Sequence, residues 1–107
     1  MRPAAKSLAR VCHITLFTRA NCSLCDDAKT VLSKVWDKRP FHYREIDVMT
    51  PEASKWKIYE FDTPVIHVEK LKGAPEDFGT TTAARKLMHR FKAEQVEGLM
   101  DEVEKER

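Results

Sequence analysis

The amino-acid sequence predicts an α/β domain: a four-stranded mixed sheet with helices on both faces, in the order β-α-β-α-β-β-α. Three observations predict it. Short runs rich in β-branched and large apolar residues alternate with segments whose apolar residues recur at helical spacing. Two cysteines, Cys22 and Cys25, stand where the first such run gives way to the first helix. And the chain has 107 residues, enough for one core but not two.

Residues 1–10, MRPAAKSLAR, carry Arg2, Lys6 and Arg10 and no acid, so they are expected to form a basic tail. The same composition suits a mitochondrial targeting segment. The domain proper then spans 11–107. Val11–Phe17 reads as the first strand, apolar on both faces and therefore central. On it, Cys12 is expected to be a small core residue and His13 to lie at the strand surface or be satisfied in place. Ala28, Val31, Leu32, Val35 and Trp36 mark an amphipathic helix from Asn21 or Cys22 to Lys38, with Asn21 as its cap and Pro40 beyond its end. Phe41–Val48 is a second strand, polar enough for an edge. A right-handed crossover makes it parallel to the first.

Thr50, Pro51 and Glu52 open another helix, as cap, first helical residue and dipole partner. It is expected to run to about Tyr59 and to bury Trp56 and Tyr59. Phe61-Asp62-Thr63 is a loop, and Pro64 begins a third strand, Val65 to about Leu71. Lys72–Ala84, with Gly73, Pro75 and Gly79, is a long loop and a candidate for substrate or partner contacts. Arg85–Phe91 reads as a fourth strand, antiparallel to the third, with a helix over 82–91 as the rival. Val96, Leu99, Met100 and Val103 define the last helix, Lys92–Glu104, which Gly98 weakens by about 1 kcal/mol relative to alanine.

Bulk properties narrow the function. The net charge is only +2, with both signs interspersed, so nucleic acid is not an expected partner. No apolar run approaches the roughly 20 residues of a membrane span. Three cysteines do not make a secreted disulfide framework, so a reducing compartment is expected, the cytoplasm first and mitochondria as the alternative. A monomer is expected.

The cysteine pair carries the chemistry. Cys22 would lie in the first helical turn, near the positive end of the macrodipole. Free amides there, and the cation Arg19, favour its thiolate; Asp26 and Asp27 oppose it. Cys25 falls on the same helical face, keeps its proton longer and acts second. A structural zinc needs four ligands, and only Cys12 and four histidines remain, with no second Cys-x-x-Cys, so no metal ligand is assigned.

Two stretches, Leu16-Phe17-Thr18-Arg19-Ala20-Asn21-Cys22-Ser23-Leu24-Cys25 and Asp62-Thr63-Pro64-Val65-Ile66, resemble the glutaredoxins of the thioredoxin-like superfamily. The nearest likeness is to the divergent glutaredoxin-like proteins. Arg19 stands for the usual Lys and Thr63 for the usual Val. The resemblance implies a thioredoxin-like fold and a redox-active disulfide. It implies a thiol–disulfide oxidoreductase in which Cys22 attacks a protein or small-molecule disulfide and Cys25 resolves the mixed disulfide. It further implies that Pro64 is cis, that Thr63 offers its backbone to an extended substrate, and that Arg19 and Thr63 are glutathione contacts. No cofactor is required, and glutathione is one candidate reductant in cellular electron transport and redox homeostasis. The family's Gly-Gly kink and Asp-containing helix start are replaced here by Phe91-Lys92-Ala93-Glu94-Gln95. That departure weakens the glutathione half of the resemblance and leaves the dithiol half intact. An iron–sulfur or zinc binding module and a redox-silent interaction domain are the alternatives on the same fold.

Overall fold

The computed structural model describes residues 12–71, 80 and 84–105. Strand β1 (Cys12–Thr18) leads to helix α1 (Ser23–Lys38), strand β2 (His42–Asp47), a 3₁₀ segment (Pro51–Tyr59), strands β3 (Val65–Lys70) and β4 (Arg85–Met88), and helix α2 (Ala93–Lys105). The sheet order is β2-β1-β3-β4. β2 runs parallel to β1, β3 antiparallel to β1, and β4 antiparallel to β3. The expected order of elements, the central place of β1 and the edge place of β2 are all present. The basic tail and most of the 72–84 loop lie outside the described residues. Among the described residues no helix is long and apolar enough to cross a membrane.

Alternation along β1 sends its side chains into two layers. Ile14 and Leu16 pack with Leu32 and Val35 of α1, Ile66 and Val68 of β3, and Val96, Met100 and Val103 of α2. Phe17 points the other way and packs with Val48, Trp56, Tyr59 and Val65. Both helices therefore cover one face and the 3₁₀ segment the other. From Cys12 to Phe17 no residue is more than 1% exposed, which is what a strand covered on both faces requires. Arg39, just past α1, ties the two helices together through Asp101 at 2.9 Å and Glu104 at 3.0 Å.

The second layer also holds two buried histidines. His13 is buried, with its Nε2 3.1 Å from the Thr15 hydroxyl. His67 sits between the Tyr59 hydroxyl at 2.7 Å and the Thr80 hydroxyl at 2.8 Å, edge-on to the rings of Phe17 and Trp56. Burial first, and then the charges of His42 and Arg44, push His13 down to about 4. Burial first, and then Lys86, do the same to His67, again to about 4. Both rings are neutral members of the core.

Three local expectations are corrected. The helix expected after Thr50 is a 3₁₀ segment with a break at Ala53, and Thr50 makes no side-chain cap; its hydroxyl donates to the Asp47 carbonyl at 3.0 Å. The reason lies in the spacing: the buried residues are Ala53, Trp56 and Tyr59, a strict period of three, which matches 3.0 residues per turn and not 3.6. The fourth strand stops at Met88, because His89 turns to φ 64° and donates its amide to the Pro64 carbonyl at 2.7 Å. And α1 is capped by Cys22, not by Asn21, which adopts φ 56°. Asparagine tolerates that left-handed conformation better than most residues.

A Cβ added at Gly98, inside α2, meets nothing within 4 Å. Gly98→Ala should therefore stabilise the fold by about 1 kcal/mol and raise Tm by about 4–8 °C, measurable by thermal denaturation. The histidines give a pH signature. Unfolded, they take up protons near their ordinary value of 6.5; folded, they refuse them until about pH 4. Stability should be full above that ordinary value and fall as pH drops toward the folded one. Urea titrations across this range, with NMR of the imidazole protons, check it; His13 or His67 resonances that titrate near their ordinary value in the folded protein would contradict it.

Candidate active site

The site is built where β1 ends and α1 begins. Cys22 has extended backbone, φ −123° and ψ 98°, and is the N-cap of α1. Its sulfur accepts a hydrogen bond from the Cys25 amide at 3.1 Å, taking the place of the hydroxyl or carboxylate that usually caps a helix. The Cys25 amide also reaches the Cys22 carbonyl at 3.1 Å, closing the first turn. Cys22 and Cys25 are joined in a disulfide, with Cα atoms 5.2 Å apart. Their exposure differs. Cys25 is 1% exposed among the core residues of α1, whereas Cys22 is half-buried at the surface. A substrate sulfur can reach Cys22; it reaches Cys25 only through Cys22.

The expectation that Cys22 lies within the first turn is thus off by one residue. The change favours its chemistry. A capping atom receives the amides of the first turn directly, and a thiolate accepts such bonds more strongly than a neutral sulfur does.

A second loop forms the other wall. Thr63 places its hydroxyl 4.0 Å from the Cys22 sulfur, and the Thr63–Pro64 peptide bond is cis, as the resemblance implied. Pro64 is buried and leads straight into β3. Arg19 Nη1 donates to the Glu60 carbonyl at 2.8 Å. This bond ties the turn before Cys22 to the loop before Thr63. From the far side, the His89 amide holds the Pro64 carbonyl, and the His89 imidazole lies 3.8 Å from the Asp62 carboxylate. All five expected site residues, Cys22, Cys25, Arg19, Thr63 and Pro64, gather here. Glu60 and His89 belong to the same frame and were not singled out from the sequence. Glu60 acts through its carbonyl, which carries no side-chain signal, and a positive φ at a histidine leaves no pattern.

Beside Leu24 a hollow of about 180 Å³ is lined by Leu24, Asp27, Ala28, His89, Arg90 and Phe91. Just past Phe91 the chain enters the start of α2. There the Lys92 amide donates to the Gln95 side chain at 2.8 Å, and Glu94 adds a negative charge to the first turn. A carboxylate ligand would compete with both.

The third cysteine is a core residue, as expected. Cys12 is buried, with its sulfur 3.8 Å from the Met100 carbonyl and from the Glu104 carboxylate. Burial, with the Glu104 charge beside it, pushes its thiol up to about 12. Among the described residues no three His, Cys, Asp or Glu side chains form a group that could hold a metal ion.

The sequence profile of the glutaredoxin-like domain (DUF836) matches residues 13–101. Solved structures share the fold at low identity. The X. campestris protein XcR50 is 21% identical, with 83% of this chain and 96% of that one covered and a TM-score of 0.58. Thioredoxin-2 of the malaria parasite is 16% identical, covering 86% and 82%, with a TM-score of 0.63. Thioredoxin O2 of Arabidopsis thaliana, in its oxidised state, is 18% identical, covering 94% and 84%, with a TM-score of 0.57.

The three thiols should separate by reactivity. In the reduced, folded protein at pH 8, iodoacetamide is expected to label Cys22 first, Cys25 much more slowly and Cys12 not at all until denaturant is added. Mass mapping of a labelling time course measures this order, and Cys12 reacting as fast as Cys22 would contradict it.

Proposed function

The chain belongs to the glutaredoxin-like domain family (DUF836), and on that premise we propose that it is a dithiol thiol–disulfide oxidoreductase acting on protein or small-molecule disulfides. The observation that carries the proposal is the unequal pair: a half-buried sulfur at the helix cap, bonded to a buried partner one turn on. Reduced Cys22, as thiolate, attacks one sulfur of a substrate disulfide. A Cys22–substrate bond forms, the substrate bond breaks, and the departing sulfur takes up a proton. Cys25 then loses its proton, attacks the Cys22 sulfur and releases the second substrate thiol, leaving the Cys22–Cys25 disulfide. The Cys25 amide stabilises the Cys22 thiolate in the reduced protein, and the positive charge of Arg19 adds to it at longer range. Thr63 and Pro64 form the wall along which the substrate lies, with the Thr63 backbone available to an extended chain.

The chemistry uses sulfur and protons alone. Reduction of the spent pair falls to a cellular thiol, either glutathione or a dithiol protein. The dithiol protein is our preferred reductant: Gln95 already takes the Lys92 amide and Glu94 puts a negative charge at the start of α2, both unfavourable to a glutathione carboxylate at the position the family resemblance implies. We place the reaction in a reducing compartment, the cytoplasm or the mitochondrion, with the protein working as a monomer.

Cys22→Ser should lower disulfide reduction by about 10³-fold or more, since it removes the nucleophile. Cys25→Ser should retain the attack and accumulate a covalent adduct between Cys22 and the substrate, visible as a mass increase that dithiothreitol reverses. A Cys22→Ser protein with undiminished turnover would refute the proposal.

A further inference from the structure

The 3₁₀ geometry that buries Trp56 and Tyr59 has a consequence on its outer side. In a 3₁₀ helix the side chains at i and i+3 eclipse. Trp56 and Tyr59 show it on the inner side, where their rings stack 5.8 Å apart at 14°. The chain keeps turning past Tyr59, with the Glu60 amide donating to the Lys57 carbonyl at 2.9 Å and the Asp62 amide to the Tyr59 carbonyl at 2.8 Å. Ile58 and Phe61 stand three residues apart across this turn, away from the buried column, and they are 65% and 85% exposed. Lys55, three residues before Ile58 and in the same register, and Lys57 are exposed too. Two large apolar residues exposed on this turn are not required by the core, which the inner column already fills.

The position of the pair gives it a use. Phe61 is two residues before Thr63, whose hydroxyl is 4.0 Å from the Cys22 sulfur. Phe61 is also fixed in place, because the Glu60 carbonyl is held by Arg19 and the Asp62 carboxylate lies beside His89. Resting on the oxidoreductase reading above, we infer that Ile58 and Phe61 form a substrate-selecting strip, which favours polypeptide disulfides with an apolar side chain next to the reacting cysteine. Two side chains fall far short of the roughly 800 Å² per partner that a stable dimer buries, so a second copy of this chain is not the occupant. A transient contact made two residues before the Thr63 wall suits a substrate, and the burial of aromatic surface there supplies the preference.

Two synthetic disulfide-linked peptides, identical except for leucine or serine on both sides of the cysteine, test the inference. The chemically reduced protein is mixed with each in single turnover over a range of concentrations. No added reductant is then needed, since two electrons pass from the Cys22–Cys25 dithiol to the peptide disulfide. The wild type should prefer the leucine peptide by about tenfold in second-order rate constant, chiefly through a lower half-saturating concentration. Phe61→Ser should bring that ratio to within about twofold of unity, and Phe61→Leu should restore most of it. A Phe61→Ser protein that keeps the wild-type ratio, or a wild type with no preference, would overturn the inference. A wild type that reduces neither peptide would overturn the oxidoreductase reading itself and the strip with it.

Discussion

An α-helix begins with amides that have no partner inside the helix, and at the start of α1 one of these, the amide of Cys25, is met by the sulfur of Cys22 at 3.1 Å. That single bond ties fold and chemistry together. The helix needs an acceptor at this position, and the chain supplies a sulfur where a serine or aspartate would serve stability better. The positive φ of Asn21 is what turns Cys22 into the capping position at the end of a buried strand. From there the rest follows geometrically. Cys25 comes one turn later and faces inward with Ala28 and Leu32, so the partner sulfur is close, shielded and unable to meet a substrate first.

The wall opposite the sulfur depends on the other layer of the sheet. Phe17, the last buried residue of β1, packs against Trp56 and Tyr59, and Tyr59 is bonded to His67 from the neighbouring strand. This apolar and aromatic packing fixes the end of the 3₁₀ segment. The loop that leaves it is then held by Arg19 from the β1 side and by His89 from the β4 side. Thr63 thus stands at a defined place beside Cys22, although no covalent link shorter than 41 residues joins them. A neutral His67 suits this role. Buried between two hydroxyls, it serves as donor to one and acceptor to the other, and a charged ring would have no acceptor for its second proton if Tyr59 remained the donor.

Much of this was legible in the residues. The apolar run before the cysteines, the helical stripe after them and the polar second strand specified the order of elements and the central and edge places of the first two strands, since each is a pattern that burial enforces. The dithiol and the Thr63-Pro64 turn were legible as short motifs. What escaped the sequence is carried by backbone rather than by side chains. The cap moved from Asn21 to Cys22 because asparagine is equally at home in a left-handed turn, and spacing cannot choose between the two. The fourth strand was extended past Met88 because Arg90 and Phe91 continue its alternation while the chain has already turned at His89. The 3₁₀ segment is a different kind of miss. Its period of three was present in Ala53, Trp56 and Tyr59, and proline, a capping threonine and an acid at its start are signals shared by both helix types.

The sulfur cap also sets a balance in the reaction we propose. A bond from an amide to a thiolate is charge-assisted, while the same bond to a disulfide sulfur is weak. The helix start therefore favours the reduced form over the oxidised one. Stronger capping would yield more thiolate for attack but a less eager donor of electrons, and a lower pKa also makes the thiolate a poorer nucleophile. This chain combines influences of both signs. The Cys25 amide reaches the sulfur, Asp26 places a negative charge in the first turn, and the Arg19 guanidinium is engaged by the Glu60 carbonyl. Such moderation suits a protein that must first be charged by another thiol and then pass its electrons on. The selectivity of such a protein has to come from outside the dithiol, along the wall that leads to it.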